Sequence, residues 1–238
     1  MQKTAIIIPC YNEENRIDKE KIISLIEKSE VTVYLSNDGS TDHTLELLES
    51  ISRENPNRIK VLDYEKNSGK ASVIYNSVNR LYKDKEFDYI GYFDADFSTP
   101  VSEIIRMLDF IKINKTEFIL GSRVKLLNSN INRKIYRHII GRIIITILNF
   151  KFKLAIYDTQ CGAKIFSNKI VGDAFSKPFY TSWLFDVEIF IRLKNAHLLK
   201  QGCEFPLTEW KDVEGSKLGF RTGFKILKEM YLLNKNYR

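Results

Sequence analysis

Apolar and polar positions fall into blocks along the first half of the chain. Ala5-Ile6-Ile7-Ile8 is a continuous apolar run, the pattern of a strand buried on both faces. Pro9 closes it, and Cys10-Tyr11-Asn12-Glu13-Glu14-Asn15 follows as a polar loop. Ile22, Ile23, Leu25 and Ile26 recur at helical spacing within residues 18–29. A second strand, Val31 to Leu35, runs into Ser36-Asn37-Asp38-Gly39-Ser40-Thr41-Asp42, with Ser40 or Thr41 expected to cap a helix over 42–53. A third strand over 59–63 leads through Glu65-Lys66-Asn67-Ser68-Gly69-Lys70 into a helix over 70–82. The fourth apolar run, Tyr89 to Phe93, stops at Asp94-Ala95-Asp96, and Thr99-Pro100 predicts a helix start with Thr99 as N-cap. Strands alternating with helices of this length predict an α/β fold with a mostly parallel, doubly wound sheet and helices on both sides. Four polar loops then gather on one sheet edge, where open α/β sheets bind ligands.

The second half is less regular. A helix over 102–114 and a strand Phe118–Leu120 precede Gly121-Ser122-Arg123. From Gly121 to Tyr157 there are eight Lys or Arg and no Asp or Glu. Inside this stretch Ile135 to Phe152 is strongly apolar, interrupted at Arg137 and Arg142. It fits a helix lying in a membrane interface, or a core helix with a basic edge. Asp158-Thr159-Gln160-Cys161-Gly162 predicts a turn before a short strand, and Trp183 to Ile189 puts Asp186 and Glu188 on the first turn of a helix. Cys203 to Leu207 adds a strand region, and a last helix carries Phe220, Phe224, Leu227 and Tyr231 as its apolar stripe. The expected division is a main domain over 1–210 and a C-terminal loop and helix over 211–238 packed on or beside it.

With 238 residues, 44% hydrophobic and 12% aromatic, the chain can build a sizeable core. A net charge of +7 favours an acidic partner. Aromatic and basic residues do not alternate on a strand face, so nucleic acid is not the expected one. Three widely spaced cysteines make neither a disulfide framework nor a metal pattern, which favours a reducing compartment. The N-terminal apolar run is too short for a signal peptide, and no stretch approaches the length of about 18 apolar residues that spans a bilayer.

Two carboxylates one residue apart at a strand exit, Asp94 and Asp96, suit Mg²⁺ or Mn²⁺ carrying a substrate phosphate. The plainer reading is a polar strand-to-helix loop. Context favours the first. Ile8-Pro9-Cys10-Tyr11-Asn12-Glu13, Asn37-Asp38-Gly39-Ser40-Thr41-Asp42, Asn67-Ser68-Gly69-Lys70 and Asp94-Ala95-Asp96 resemble, in order, the motifs of family 2 inverting glycosyltransferases, which have the GT-A fold, a Rossmann-like α/β sandwich. Gly121-Ser122-Arg123, Asp158-Thr159-Gln160-Cys161-Gly162, Phe185-Asp186-Val187-Glu188 and Glu214-Gly215-Ser216-Lys217 look like the dolichyl-phosphate β-glucosyltransferase branch of polyprenyl-phosphate glycosyltransferases. The sequence departs from that pattern in three places. An N-terminal anchor typical of the eukaryotic enzymes is read as lacking, Glu214 stands where Pro is usual, and Ser98 stands where the related mannose synthases have Gln.

The resemblance implies metal-dependent transfer of a hexose, glucose foremost, from a UDP-sugar to a polyprenyl (dolichyl or undecaprenyl) phosphate. A saccharide hydroxyl, as in cell-surface polysaccharide synthesis, is the alternative acceptor. It implies nucleotide-sugar contacts from Pro9, Tyr11, Glu13, Asp38, Gly69, Lys70 and Asp94, and metal ligation by Asp94 and Asp96. Asp96, Asp186 and Arg123 are the candidate catalytic residues, with Asp186 or Glu188 as base if the acceptor is a hydroxyl. Arg123, Arg133, Arg137 and Lys217 are the candidates for an acceptor phosphate. The expected location is cytoplasmic, peripheral on the inner face of a membrane.

Overall fold

The computed structural model describes residues 2–212 and 220–237. Four strands, β1 (Thr4–Cys10), β2 (Thr32–Asp38), β3 (Ile59–Tyr64) and β4 (Tyr89–Phe93), pair in parallel in the order β3-β2-β1-β4. Helices α1 (Lys19–Glu27), α2 (Thr44–Glu54) and α3 (Lys70–Asp84) cross between them, and α4 (Val101–Asn114) leads to β5 (Phe118–Ser122). The sheet then grows through a later strand. β7 (Ala163–Ser167) runs antiparallel between β4 and β5, and β8 (Gly202–Pro206) completes seven strands beside β5. A separate parallel pair joins β6 (Asn130–Asn132) to β9 (Glu209–Lys211).

Alternation along β1 explains the layering. Ala5 and Ile7 pack with Ile74 of α3 and Ile145 of α5 (Ile135–Phe152), while Ile6 and Ile8 pack with Leu25, Leu48 and Ile104 on the other face. The first layer also takes in α6 (Asn168–Ala174), α7 (Phe185–Asn195) and Leu233 of α8 (Phe220–Asn236). The result is the mostly parallel sheet sandwiched by helices that the apolar pattern predicts.

Three local expectations need correction. Neither Ser40 nor Thr41 caps α2, which starts at Thr44 with its amide on Asp42 Oδ1 at 3.0 Å. Their hydroxyls instead accept from the Asn12 backbone and side-chain amides at 3.1 and 3.3 Å, tying the first two strand-end loops together. Thr99 is not the cap of α4. Pro100 holds that place in extended backbone, and the helix begins one residue later than predicted. The third concerns α8. Phe224, Leu227 and Tyr231 are 77%, 64% and 64% exposed, so the predicted stripe faces outward. The helix docks instead through Ile226, Leu233, Tyr237 and Glu229, which are buried.

Glu229 explains that choice. Its carboxylate accepts hydrogen bonds from the amides of Ser182, Trp183 and Leu184 at 3.1, 2.9 and 2.8 Å, and from the Ser182 hydroxyl at 2.9 Å. These amides belong to the turn that enters α7 and end at its N-cap, Leu184, so α8 fixes the entry of α7. Glu229→Ala would leave the buried Leu184 amide and its partly buried neighbours without their acceptor, at a cost of about 2–3 kcal/mol. A melting temperature lower by about 5–10 °C with unchanged far-ultraviolet circular dichroism is the expected result, measured by thermal denaturation.

Candidate active site at the strand ends

The exits of β1, β2 and β4 and the loop before α3 form one acidic edge. Asp38, at the end of β2, accepts from the Ser68 amide and hydroxyl through Oδ1, each at 2.9 Å, and from the Gly69 amide through Oδ2 at 2.7 Å. The carboxylate therefore holds the β3–α3 loop, and Oδ2 keeps a lone pair for a further donor. Gly39 has φ +63, and a Cβ there would lie 2.5 Å from the Asn67 nitrogen. The two loops touch backbone to backbone at that point, which only glycine permits.

A cavity of about 210 Å³ opens between these loops. Of the residues expected to bind a nucleotide sugar, Pro9, Tyr11, Glu13, Asp38, Lys70 and Asp94 line it. Gly69 is the N-cap of α3 and acts through Asp38. Glu13 Oε2 is buried without a hydrogen-bond partner. Burial, reinforced by Asp96, Asp42 and Asp94 and opposed by Arg16, pushes the Glu13 carboxyl above the usual carboxylate range.

Asp94 and Asp96 leave β4 on the wall shared with a second cavity of about 380 Å³. Lys70 pairs with Asp94 Oδ1. Burial works against the charge on Lys70, but Asp94, Asp186 and Asp96 outweigh it and raise the amine above its ordinary value. Asp96 Oδ1 accepts from the Ser98 amide at 2.9 Å, closing a turn in which Phe97 sits at φ +49, a left-handed conformation costly for a bulky residue. Across from them, a Cβ on Gly162 would stand 1.9 Å from Asp94 Oδ2. The Asp94 carboxylate lies directly on the Gly162 backbone, whose carbonyl also accepts the Asp94 amide at 3.1 Å. Gly162 is thus a site residue that the acidic motif alone does not reveal.

The larger cavity redistributes the predicted cations. Arg123 is paired with Asp158 by two bonds, Nε to Oδ2 at 2.7 Å and NH2 to Oδ1 at 2.8 Å. Burial opposes the charge of each partner, and their mutual attraction overcomes it: Arg123 stays above and Asp158 well below its ordinary value. Arg123 lines the cavity, but its charge is spent internally. Arg133 lines it too and makes no hydrogen bond or ion pair among the described residues. Burial and the Arg123 charge both lower its hold on its proton. Arg142, not foreseen, also faces the cavity, with NH1 on the Tyr157 carbonyl at 2.6 Å. The Arg137 side chain and Lys217 lie outside the described residues.

Asp186 reaches the same cavity, its Oδ1 held by Tyr92 OH at 2.5 Å and by the fully buried Lys164 Nζ at 2.7 Å. Glu188 does not. It is fully buried and engaged by the Tyr180 and Thr181 amides, Arg192 and Tyr237, so it braces α7 against α8 and is no base. Thr159 Oγ1 and Gln160 Nε2, beside Asp158, are buried without partners on the cavity wall. Sequence alone left them as a turn. The Cys161 thiol nearby is pushed up to about 11, mainly by burial, and is inert.

No group of three or more His, Cys, Asp or Glu residues is clustered for a metal among the described residues. Asp94 is already paired with Lys70 through Oδ1, and Asp96 Oδ2 carries no hydrogen bond among the described residues. Two hard oxygen donors beside a phosphate-sized space fit Mg²⁺ or Mn²⁺ bound jointly with a substrate diphosphate, since these ions take only one or two protein carboxylates in such sites.

Sheet order, antiparallel insertion and the acidic exit of β4 define a glycosyltransferase of the GT-A fold. The chain belongs to glycosyltransferase family 2: the sequence model of Glycosyl transferase family 2 matches residues 5–175. A dolichyl-phosphate β-glucosyltransferase of Saccharomyces cerevisiae is 27% identical, covering 98% of this chain and 74% of the relative. Its counterpart from Dictyostelium discoideum is 29% identical with the same coverage, 98% and 74%. Among solved structures, glucosyl-3-phosphoglycerate synthase from Mycobacterium tuberculosis in complex with Mn²⁺, UDP and glucosyl-3-phosphoglycerate superposes with a TM-score of 0.71 at 14% identity, over 98% of this chain and 79% of that one. At that identity the likeness speaks to the fold.

Two outcomes follow from this geometry. Gly162→Ala displaces the Asp94 carboxylate, so sugar transfer should fall by about 10²-fold or more while the circular dichroism spectrum stays unchanged. Asp158→Asn should lower the urea midpoint at pH 7, because it strands Arg123. The depressed Asp158 carboxyl contributes stability that is complete above its unfolded value of about 3.9 and lost only as pH falls below it, toward the lower folded value. The gap between mutant and parent should therefore hold from pH 7 to about pH 4 and narrow in stronger acid.

Proposed function

We propose that this glycosyltransferase moves glucose from UDP-glucose to the phosphate of a polyprenyl phosphate, inverting the anomeric centre, while docked peripherally on the inner face of a membrane. The observation that carries the reading is the meeting of two cavities at Lys70, Asp94 and Asp96, the larger of which holds an arginine, Arg133, with no partner among the described residues. The names of the curated relatives support the sugar and the acceptor class.

The smaller cavity takes the nucleoside diphosphate. Asp38 Oδ2 accepts from the uracil ring N–H, and the orphaned Glu13 Oε2 meets a ribose hydroxyl. Lys70 brings positive charge to the pyrophosphate. Asp94 and Asp96 would hold the divalent cation, which supplies neutralisation of the departing diphosphate. The larger cavity takes the sugar, recognised by Thr159 and Gln160, and the acceptor phosphate, held by Arg133 and Arg142.

A phosphate monoester, with a second pKa of about 6, arrives already anionic. Its oxygen forms a bond to the anomeric carbon as the bond to the β-phosphate breaks, and the electron pair leaves with UDP. No proton has to be removed. Asp186, pinned by Lys164 and Tyr92, then shapes the cavity. A saccharide hydroxyl would need a base. That second reading has one observation in its favour, the position of Asp186 on the cavity wall.

Membrane contact rests on α5 and α8. Ile139, Ile143, Ile147 and Phe150 are exposed on α5, beside exposed Phe224, Leu227 and Tyr231 on α8. An apolar groove of about 610 Å³ lies between the helices, lined by Ile147, Phe150 and Met230. Exposed Lys134, Lys151, Lys225 and Lys228 flank them. Apolar surface edged with lysine suits an anionic bilayer. No helix among the described residues is long and apolar enough to cross one.

Asp96→Ala should lose about 10²-fold or more in turnover and keep its melting temperature. The assay uses labelled UDP-glucose, Mn²⁺ and undecaprenyl phosphate. Label in the organic phase supports the lipid acceptor, and label confined to water-soluble product overturns it. The protein should also cosediment with vesicles containing phosphatidylglycerol. A double substitution, Ile143→Asp with Ile147→Asp, should cut that binding by about tenfold or more and leave the fold intact.

A further inference from the structure

The helix α5 has a glycine, Gly141, in its middle, where glycine weakens a helix and needs a reason. Two observations supply one. Gly141 lines the larger cavity, and a Cβ there would stand 3.1 Å from NH2 of Arg133, a cation of that cavity with no hydrogen bond or ion pair among the described residues. Its neighbour Ile140 lines the same cavity yet is 44% exposed. Ile143 and Ile147, three and seven residues on, continue that face outward and are exposed in turn. Ile140, Ile143 and Ile147 therefore carry an apolar face from the cavity lining to the outer surface. Gly141, next to Ile140 on the cavity wall, adds no side chain to that path.

We propose that Gly141 is a specificity-determining residue: it forms the notch through which the hydrocarbon chain of the acceptor leaves the cavity while the phosphate stays at Arg133. Ile140 is the sill of that notch. The proposal rests on the polyprenyl-phosphate reading above and adds what the residues near the phosphate discriminate. A headgroup phosphate with no chain, or one with a very short chain, fits the cavity whether or not the notch is open. A long chain does not, because it has to cross α5. A side chain at position 141 closes the crossing.

The experiment compares Gly141→Val with the parent across prenyl phosphates of two, four and eleven isoprene units, in detergent micelles with UDP-glucose and Mn²⁺. UDP binding by calorimetry serves as the control for an intact donor site. The expected result is a kcat/KM for the eleven-unit acceptor lower by about 30-fold or more, a change of about threefold or less for the two-unit acceptor, and unchanged UDP affinity. Ile140→Asp should show the same dependence on chain length, since it makes the sill polar. An equal loss for all three acceptors overturns the proposal, because it would mean that the new side chain acts by pushing Arg133 off the phosphate. No loss with any of them overturns it as well. If the parent glycosylates none of the three, the polyprenyl-phosphate reading itself fails and the notch falls with it. Should Gly141→Val not fold, Gly141→Ala, which adds a single methyl, gives the same comparison with a smaller split.

Discussion

The antiparallel pairing of β7 with β4 is the constraint on which the site depends. It carries the turn after Asp158 across the exit of β4 and sets the Gly162 backbone against the Asp94 carboxylate. The same insertion brings Lys164, on β7, under Asp186 on α7. A purely parallel sheet would have sent this turn to the opposite edge. With β7 reversed, residues 158–162 arrive at the edge where the first four strands end, and both cavities share one wall.

That wall is crowded with charge, and the pairing of those charges decides what each residue can do. Lys70 is matched with Asp94, Arg123 with Asp158 and Lys164 with Asp186. Each pair keeps a charge from being stranded away from water, which otherwise costs several kcal/mol. The groups left over are the reactive surplus: Asp96 with a free oxygen, Glu13 with an orphaned one, and Arg133 with no partner among the described residues. Asp96 can meet a negative diphosphate only through a shared cation, whereas Arg133, half-buried, can meet an anionic group directly.

Much of this was legible in the sequence. The four parallel strands, their polar exits and the acid pair after Phe93 follow from apolar runs that stop at Gly, Asp and Asn, since fully buried strands leave a local signal. Residues in the second half were harder to read because their partners are far away in the chain. Arg123 looked like a phosphate ligand until its bidentate contact with Asp158, 35 residues on, was visible. Glu188 looked like a base for the same reason, and its partner Tyr237 lies 49 residues away. The stripe of α8 points the wrong way because the helix has two apolar faces, and the one that docks carries the carboxylate that meets the distant turn entering α7. Gly162 and Gly141 bear on function by what they lack, and a missing side chain has meaning only against a known neighbour.

The two faces of α5 extend the same reasoning to the membrane. A helix serving only the core would expose charge on its outer side, whereas α5 exposes large apolar residues, Ile139, Ile143, Ile147 and Phe150 among them, and carries no acid. The inner side packs Ile145, Leu148 and Phe152 into the layer that carries α7 and its Asp186. Any force on the outer side therefore acts on an element that also walls the larger cavity. Arg133, just before the helix, and Arg142, within it, face that cavity. Under the proposed reading, binding of the surface and capture of an anionic lipid headgroup would be coupled through this one helix, with no hinge needed between them.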